Sequence, residues 1–207
     1  MIWQLLSNPI TALAWVVAIV LAISFHEFAH AYAAYRLGDN TARDLGRLTI
    51  NPLKHLDIAG TILLLIAGFG WGKPVPFNPY NLKNQKWGPA IVSVAGPLAN
   101  IILAAIFLVV LKIIVVYTLI PFENGLVQLL NSLIIVNIIL AVFNLLPIPP
   151  LDGSKILYAF LPEKAMGSVV AIERYGPFIL IFLVIFAGSL FGAFFNLVVS
   201  GVYGFVF

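Results

Sequence analysis

A chain of 207 residues that is 62% hydrophobic and only 9% charged cannot clothe a water-soluble globule, so the sequence describes an integral membrane protein. Its net charge of +3 is too small and too dispersed for a nucleic-acid partner, and the length leaves little room for a soluble appendage. With no cysteine, disulfides and thiolate metal ligands are excluded.

The first predicted helix starts near Pro9 and runs to Leu37, where Gly38 can supply a left-handed C-cap. No cleavable signal peptide is expected. The N-terminus lacks a basic region, and the first apolar segment leads directly into "SFHEFAHAYAAY", residues 24–35. At 1.5 Å per residue, His26 lies roughly 25 Å along this helix, toward the far edge of a hydrocarbon core about 30 Å thick. Residues 39–58, "DNTARDLGRLTINPLKHLDI", are polar, basic and β-prone at "RLTI". Residues 59–70, "AGTILLLIAGFG", are apolar but too short to span, which predicts a re-entrant segment. The Pro/Asn-rich loop "WGKPVPFNPYNLKNQKWG" follows.

A second spanning helix fits 89–118 and a third fits 126–146, ending at the prolines of "LPIPPLDG". A short helix is predicted from Ser154 to Leu161, then a polar connection over 162–175. The remaining apolar stretch contains Gly188, Gly192, Gly201 and Gly204, which leave one helix or a bent pair open. The predicted fold class is thus an all-α membrane protein, a polytopic bundle of about four to six transmembrane helices with a re-entrant segment and a small β-prone membrane-associated loop. It is read as a single integral-membrane domain over 1–207.

Charge asymmetry orients this layout. If 59–70 re-enters, Arg36, Arg43, Arg47, Lys54, Lys73, Lys83, Lys86, Lys155, Lys164 and Arg174 all fall on one side. The opposite loop carries Glu123 and no basic residue, and Lys112 can snorkel toward it. The positive-inside rule makes the basic side cytoplasmic, in a multi-pass protein of the cell (plasma) membrane. The histidine-bearing end of the first helix and "PPLDG" both arrive on that side.

His26 and His30 share one helical face, one turn apart. Their imidazoles can fill two sites of a tetrahedral zinc ion, with Glu27 beside them to hold a water, the H-E-x-x-H arrangement of zinc proteases. Histidines merely bonded between helices are the alternative, but ionisable groups inside a membrane are costly enough to favour function. Zinc needs a third protein ligand. The remaining acids are Asp39, Asp44, Asp57, Glu123, Asp152, Glu163 and Glu173. Glu123 lies on the opposite side, and Glu163 and Glu173 lie in a solvated connection. Asp152 follows the proline break at about the depth of the histidines. Spacing alone leaves two readings for it, a ligand or the N-cap of the helix at "SKILYAF".

"HEFAH" on a membrane helix together with "FNLLPIPPLDG" resembles the site-2 protease family of intramembrane zinc metalloproteases. "VAGPLAN" and "GRLTINPLKHLDIAGT" are similar to its short prokaryotic branch, so the resemblance runs from about residue 20 to 160. It implies Asp152 as third ligand of Zn2+, and Asn144 as a contact of the substrate or the oxyanion; an interhelical hydrogen bond is the other reading of Asn144. The chain departs from larger members in lacking a PDZ insertion, a CBS domain and a hydrophobic helix ahead of the HExxH helix. The implied reaction is hydrolysis of peptide bonds in or near transmembrane helices by zinc-activated water, with Glu27 as general base and acid. The partners are then transmembrane protein substrates and the lipid bilayer, with no nucleic acid; the sequence does not fix the oligomeric state.

His55, in "NPLKHLD", is an accessory candidate as proton carrier, gate or transient ligand; a structural histidine tied to Asp57 is the other reading. Asn100 reads as structural, joining helices beside the small Ala95 and Gly96. "RLTI" is a candidate strand edge for an unwound substrate. A metal-binding transporter is disfavoured by the lack of repeated halves, and a haem protein because His26 and His30 share one turn. A catalytically silent homologue that binds substrate helices stays open.

Overall fold

A computed structural model of the chain describes residues 8–67, 70–118, 120–121 and 123–206. The first helix, α1, covers Pro9–Arg36. Asn8 caps it by accepting from Thr11 N, and Pro9 occupies a first-turn position where no amide is missed. Ala14, Ala18, Ala22, His26, His30 and Ala34 are all buried and follow one another at four-residue spacing. They form one ridge on the helix surface. Small residues along most of that ridge let neighbouring backbones approach, and the two histidines are carried inward as part of it.

After the short α2, Thr41–Asp44, comes α3, Ile58–Ala67. Its 10 residues rise about 15 Å, half a hydrocarbon core. The segment returns to its starting point, since Leu56 pairs with Gly72 in an isolated antiparallel bridge and Gly60 lies against the Trp71 backbone. Residues 68 and 69 of the predicted re-entrant stretch lie outside the described residues. The β-prone "RLTI" forms bends, and no strand occurs among the described residues. Two of its groups are engaged elsewhere instead: Arg47 is buried, and Thr49 O pairs with the ring of His55.

The long helix α4, Gly88–Tyr117, presents a matching ridge of Val92, Gly96, Asn100, Ala104 and Leu108, again buried at four-residue spacing. α5, Gly125–Asn144, is packed against both α1 and α4 and is the most enclosed of the spans. Leu133 and Val136 close on Ala18 and Ala22, while Leu130, Ile134 and Ile138 close on Ala104, Leu108 and Leu111. The opposite face of α4 exposes Leu98, Ile102, Ile106, Val109 and Ile113, the surface a lipid-facing helix needs.

α6, Asp152–Phe160, packs on α4. α7, Met166–Phe186, is joined at Ala187 to α8, Gly188–Val206, so the terminal apolar stretch is two helices. The predicted connection over 162–175 is corrected here, because α7 is already helical from Met166. Its Glu173 forms an ion pair with Lys155 of α6, so this charge links two helices. Four helices among the described residues, α1, α4, α5 and α8, are long and apolar enough to cross a membrane, making this a multi-pass membrane protein.

Candidate metal centre

α1 and α6 meet through three side chains. His26 Nε2 lies 2.9 Å from His30 Nε2, and Asp152 Oδ2 lies 3.1 Å from the first and 3.2 Å from the second. The two rings stand at 87° to each other, each presenting its Nε2 to the same point. Both histidines are buried and Asp152 is half-buried.

Asp152 reaches this point because α5 stops at Asn144 and the proline-rich turn sends the chain back. Gly153 then packs on the carbonyls of Leu145 and Leu146 so closely that no Cβ would fit. The N-cap of α6 is Leu151, with no side-chain cap bond, so Asp152 does not act as the cap. It sits in the first turn, where the helix dipole favours an anion.

The other ring nitrogens are held from α4. A chain of amide orientations starts at a backbone carbonyl. Asn137 Nδ2 donates to Leu133 O at 2.8 Å, which turns its Oδ1 toward Asn100. Asn100 Nδ2 donates to that Oδ1 at 2.7 Å and to Ala22 O at 3.2 Å, which turns Asn100 Oδ1 toward His26 Nδ1 at 2.6 Å. His26 Nδ1 must therefore carry the proton, leaving the Nε2 lone pair for a ligand bond. His30 Nδ1 likewise donates to Val92 O at 2.7 Å. Two Nε2 lone pairs then face one another beside Asp152 Oδ2, a buried oxygen with no well-formed hydrogen bond. Such a set is repulsive without a cation. Two imidazoles and one carboxylate, each imidazole with an outer hydrogen-bond partner, fit a catalytic zinc site that keeps a fourth position open.

Glu27, half-buried on the next position of α1, accepts a hydrogen bond from Val75 N at 2.8 Å. Asn144 is the last residue of α5, and its Nδ2 donates to Leu140 O at 2.9 Å within its own helix. His55 is fully buried, but its Nε2 pairs with Thr49 O at 2.6 Å and not with Asp57, whose carboxylate receives Gly60 N. Among the described residues the metal-competent group is His26, His30 and Asp152; Asn144 and His55 are not part of it. Sequence reasoning assigned Asn100 to helix packing alone. It does join three helices, yet it also orients His26, and its place on the buried ridge one turn beyond Gly96 was the available signal.

The profile of Peptidase family M50 matches residues 14–181. The Bacillus subtilis protein described as "Putative zinc metalloprotease YwhC" is 43% identical over 178 residues, 84% of this chain and 80% of that protein. "Putative zinc metalloprotease Rip2" of Mycobacterium tuberculosis H37Rv is 30% identical over 190 residues, covering 89% of this chain and 69% of its own. "Zinc metalloprotease MJ0392" of Methanocaldococcus jannaschii is 28% identical over 153 residues, 72% of this chain and 36% of its own. No solved structure matches the chain. A profile spanning most of the sequence and a relative this similar show that the chain belongs to peptidase family M50, the site-2 protease family.

Proposed function

We propose that this protein is a zinc-dependent intramembrane endopeptidase that hydrolyses peptide bonds in or near transmembrane helices of membrane-protein substrates. The convergence of His26, His30 and Asp152 on one point, with Glu27 beside it on a spanning helix, is the observation that carries the reading. Membership of a peptidase family supports hydrolysis, and relatives named zinc metalloproteases support Zn2+.

The three side chains would hold the ion, which when bound acidifies water and polarises the scissile carbonyl. Glu27 Oε accepts the proton of the attacking water and hands it to the leaving nitrogen. Asn100 and Val92 O hold the imidazoles in the tautomer that presents Nε2. Asn144, at the lip of α5, is proposed to contact the substrate or the oxyanion, exchanging its bond to Leu140 O for that contact. The basic loops, read by the positive-inside rule, support a centre on the cytoplasmic side of the plasma membrane.

The test uses the purified full chain in lipid nanodiscs with a tagged single-span model substrate. Cleavage should disappear on chelation and return with stoichiometric zinc. Cleavage that persists in the zinc-free protein would remove the proposal.

A further inference from the structure

The catalytic carboxylate proposed above is not alone. Residues 73–76, "KPVP", cross it as an extended strap outside any helix or strand. Pro74 and Pro76 have no N–H, so Val75 carries the one amide between them, and that amide donates to Glu27 Oε2 at 2.8 Å. Pro74 fixes its own φ, and Val75, being β-branched and followed by Pro76, is confined to extended conformations. The strap is stiff where it touches Glu27.

It is also clamped. Arg47, buried in the loop after α2, sends Nη2 to Lys73 O at 2.6 Å and toward Pro74 O at 3.4 Å. Among the described residues no carboxylate pairs with this guanidinium; its hydrogen bonds go to backbone carbonyls of the strap. Lys73 N is held by His55 O at 2.8 Å, and Asn78 N by Asp39 Oδ2 at 2.7 Å. Asp39 is itself buried; burial raises its pKa, but bonds from Thr41, Asn81 and Asn78 outweigh that and hold it below the usual carboxylate value. The strap is therefore anchored on both sides of Val75, with Arg47 on the two residues immediately before it.

Burying an arginine is costly, and its return here is the placement of one backbone amide. We propose that Arg47 is a positioning residue for the reaction: by clamping residues 73 and 74 it seats Val75 N–H on Glu27 and holds one carboxylate oxygen, so that the other is aimed for proton transfer. This rests on Glu27 acting as the base. Loss of one fixed orientation near reacting atoms is worth about 10- to 100-fold in rate.

The experiment first establishes that the parent cleaves the model substrate and that Glu27→Gln does not, since failure there would sink the protease reading itself. With that secured, kcat, KM and zinc content are compared for Arg47→Ala, Arg47→Lys and Val75→Pro. Arg47→Ala should lower kcat about 10- to 100-fold with KM and zinc content near parental, and Arg47→Lys should recover part of it, because an ammonium reaches one carbonyl. Val75→Pro removes the amide while leaving the clamp, and should reproduce the kcat loss. Hydrogen exchange in the 73–77 peptide should speed up in both Arg47→Ala and Glu27→Ala. Parental or faster turnover in Arg47→Ala would overturn the proposal, the faster case making the strap a barrier to substrate. If Arg47→Ala fails to fold or loses zinc, Val75→Pro decides: full kcat there refutes the positioning role.

Discussion

Asn100 Oδ1 of α4 lies 2.6 Å from His26 Nδ1 of α1, at the end of a hydrogen-bond chain that begins at the Leu133 carbonyl of α5. Three spanning helices thereby agree on which nitrogen of His26 faces the metal point. Asn100→Ala should weaken zinc binding about 10- to 100-fold. Chelator competition at equilibrium reads this directly, and unchanged affinity would reduce Asn100 to a packing residue.

Gly96 touches both imidazoles. A Cβ there would overlap His30 Nε2 and stand 2.7 Å from His26 Cε1, so Gly96→Ala must push the ligands or part α1 from α4. Overpacking of this kind costs about 1 to 3 kcal/mol. The expected outcome is a lowered unfolding midpoint together with lowered zinc content. A variant that keeps parental values of both would contradict the packing described here.

Asp152→Asn separates a ligand from a helix cap. Asn caps about as well as Asp, so a capping role predicts near-parental stability and zinc content. Removing an anionic oxygen from the metal-binding set instead predicts a steep fall in zinc retained after mild chelation, and in cleavage with it. The second outcome is expected, because Leu151 and not Asp152 occupies the cap position.

Topology follows from the return of α3. With Leu56 and Gly72 paired, the loops at 38–58 and 72–88 and the start of α7 within 162–175 should all face the cytoplasm. The chain has no cysteine, so single cysteines at Tyr80 and Ile120 can be labelled in sealed cells without interference. They should label from opposite sides. Labelling from one side would break the re-entrant reading.

Much of the centre was legible in the sequence because its residue types are expensive in a membrane. Histidines four apart fix a shared face whatever the tertiary fold, and the prolines before Asp152 force a turn that only a specific packing can use. The long apolar runs likewise gave the first three spanning helices to within a residue or two, while the bounds of α8 stayed open. What could not be read were contacts made by backbone atoms between distant segments. Val75 N on Glu27 and Lys73 O on Arg47 involve atoms every residue has, so no residue type advertises them. The strand expected at "RLTI" failed for a related reason. β-Propensity reflects a pleated surface to pack on, and here the segment finds Arg47 turned inward and no partner strand among the described residues. The start of α7 was missed because Glu163 and Glu173 were read as lying in a solvated connection, whereas Lys155 pairs with Glu173.

The central claim is that Glu27 moves the proton while His26, His30 and Asp152 hold the ion. The most direct measurement is Glu27→Gln in the purified full chain, scored for zinc per protein and for cleavage of the single-span model substrate in the same preparation. The amide is nearly isosteric with the carboxylate and leaves the three ligands intact, so zinc should remain at the parental ratio while cleavage falls by at least about 100-fold. Cleavage near the parental rate, with zinc still bound, would contradict the account.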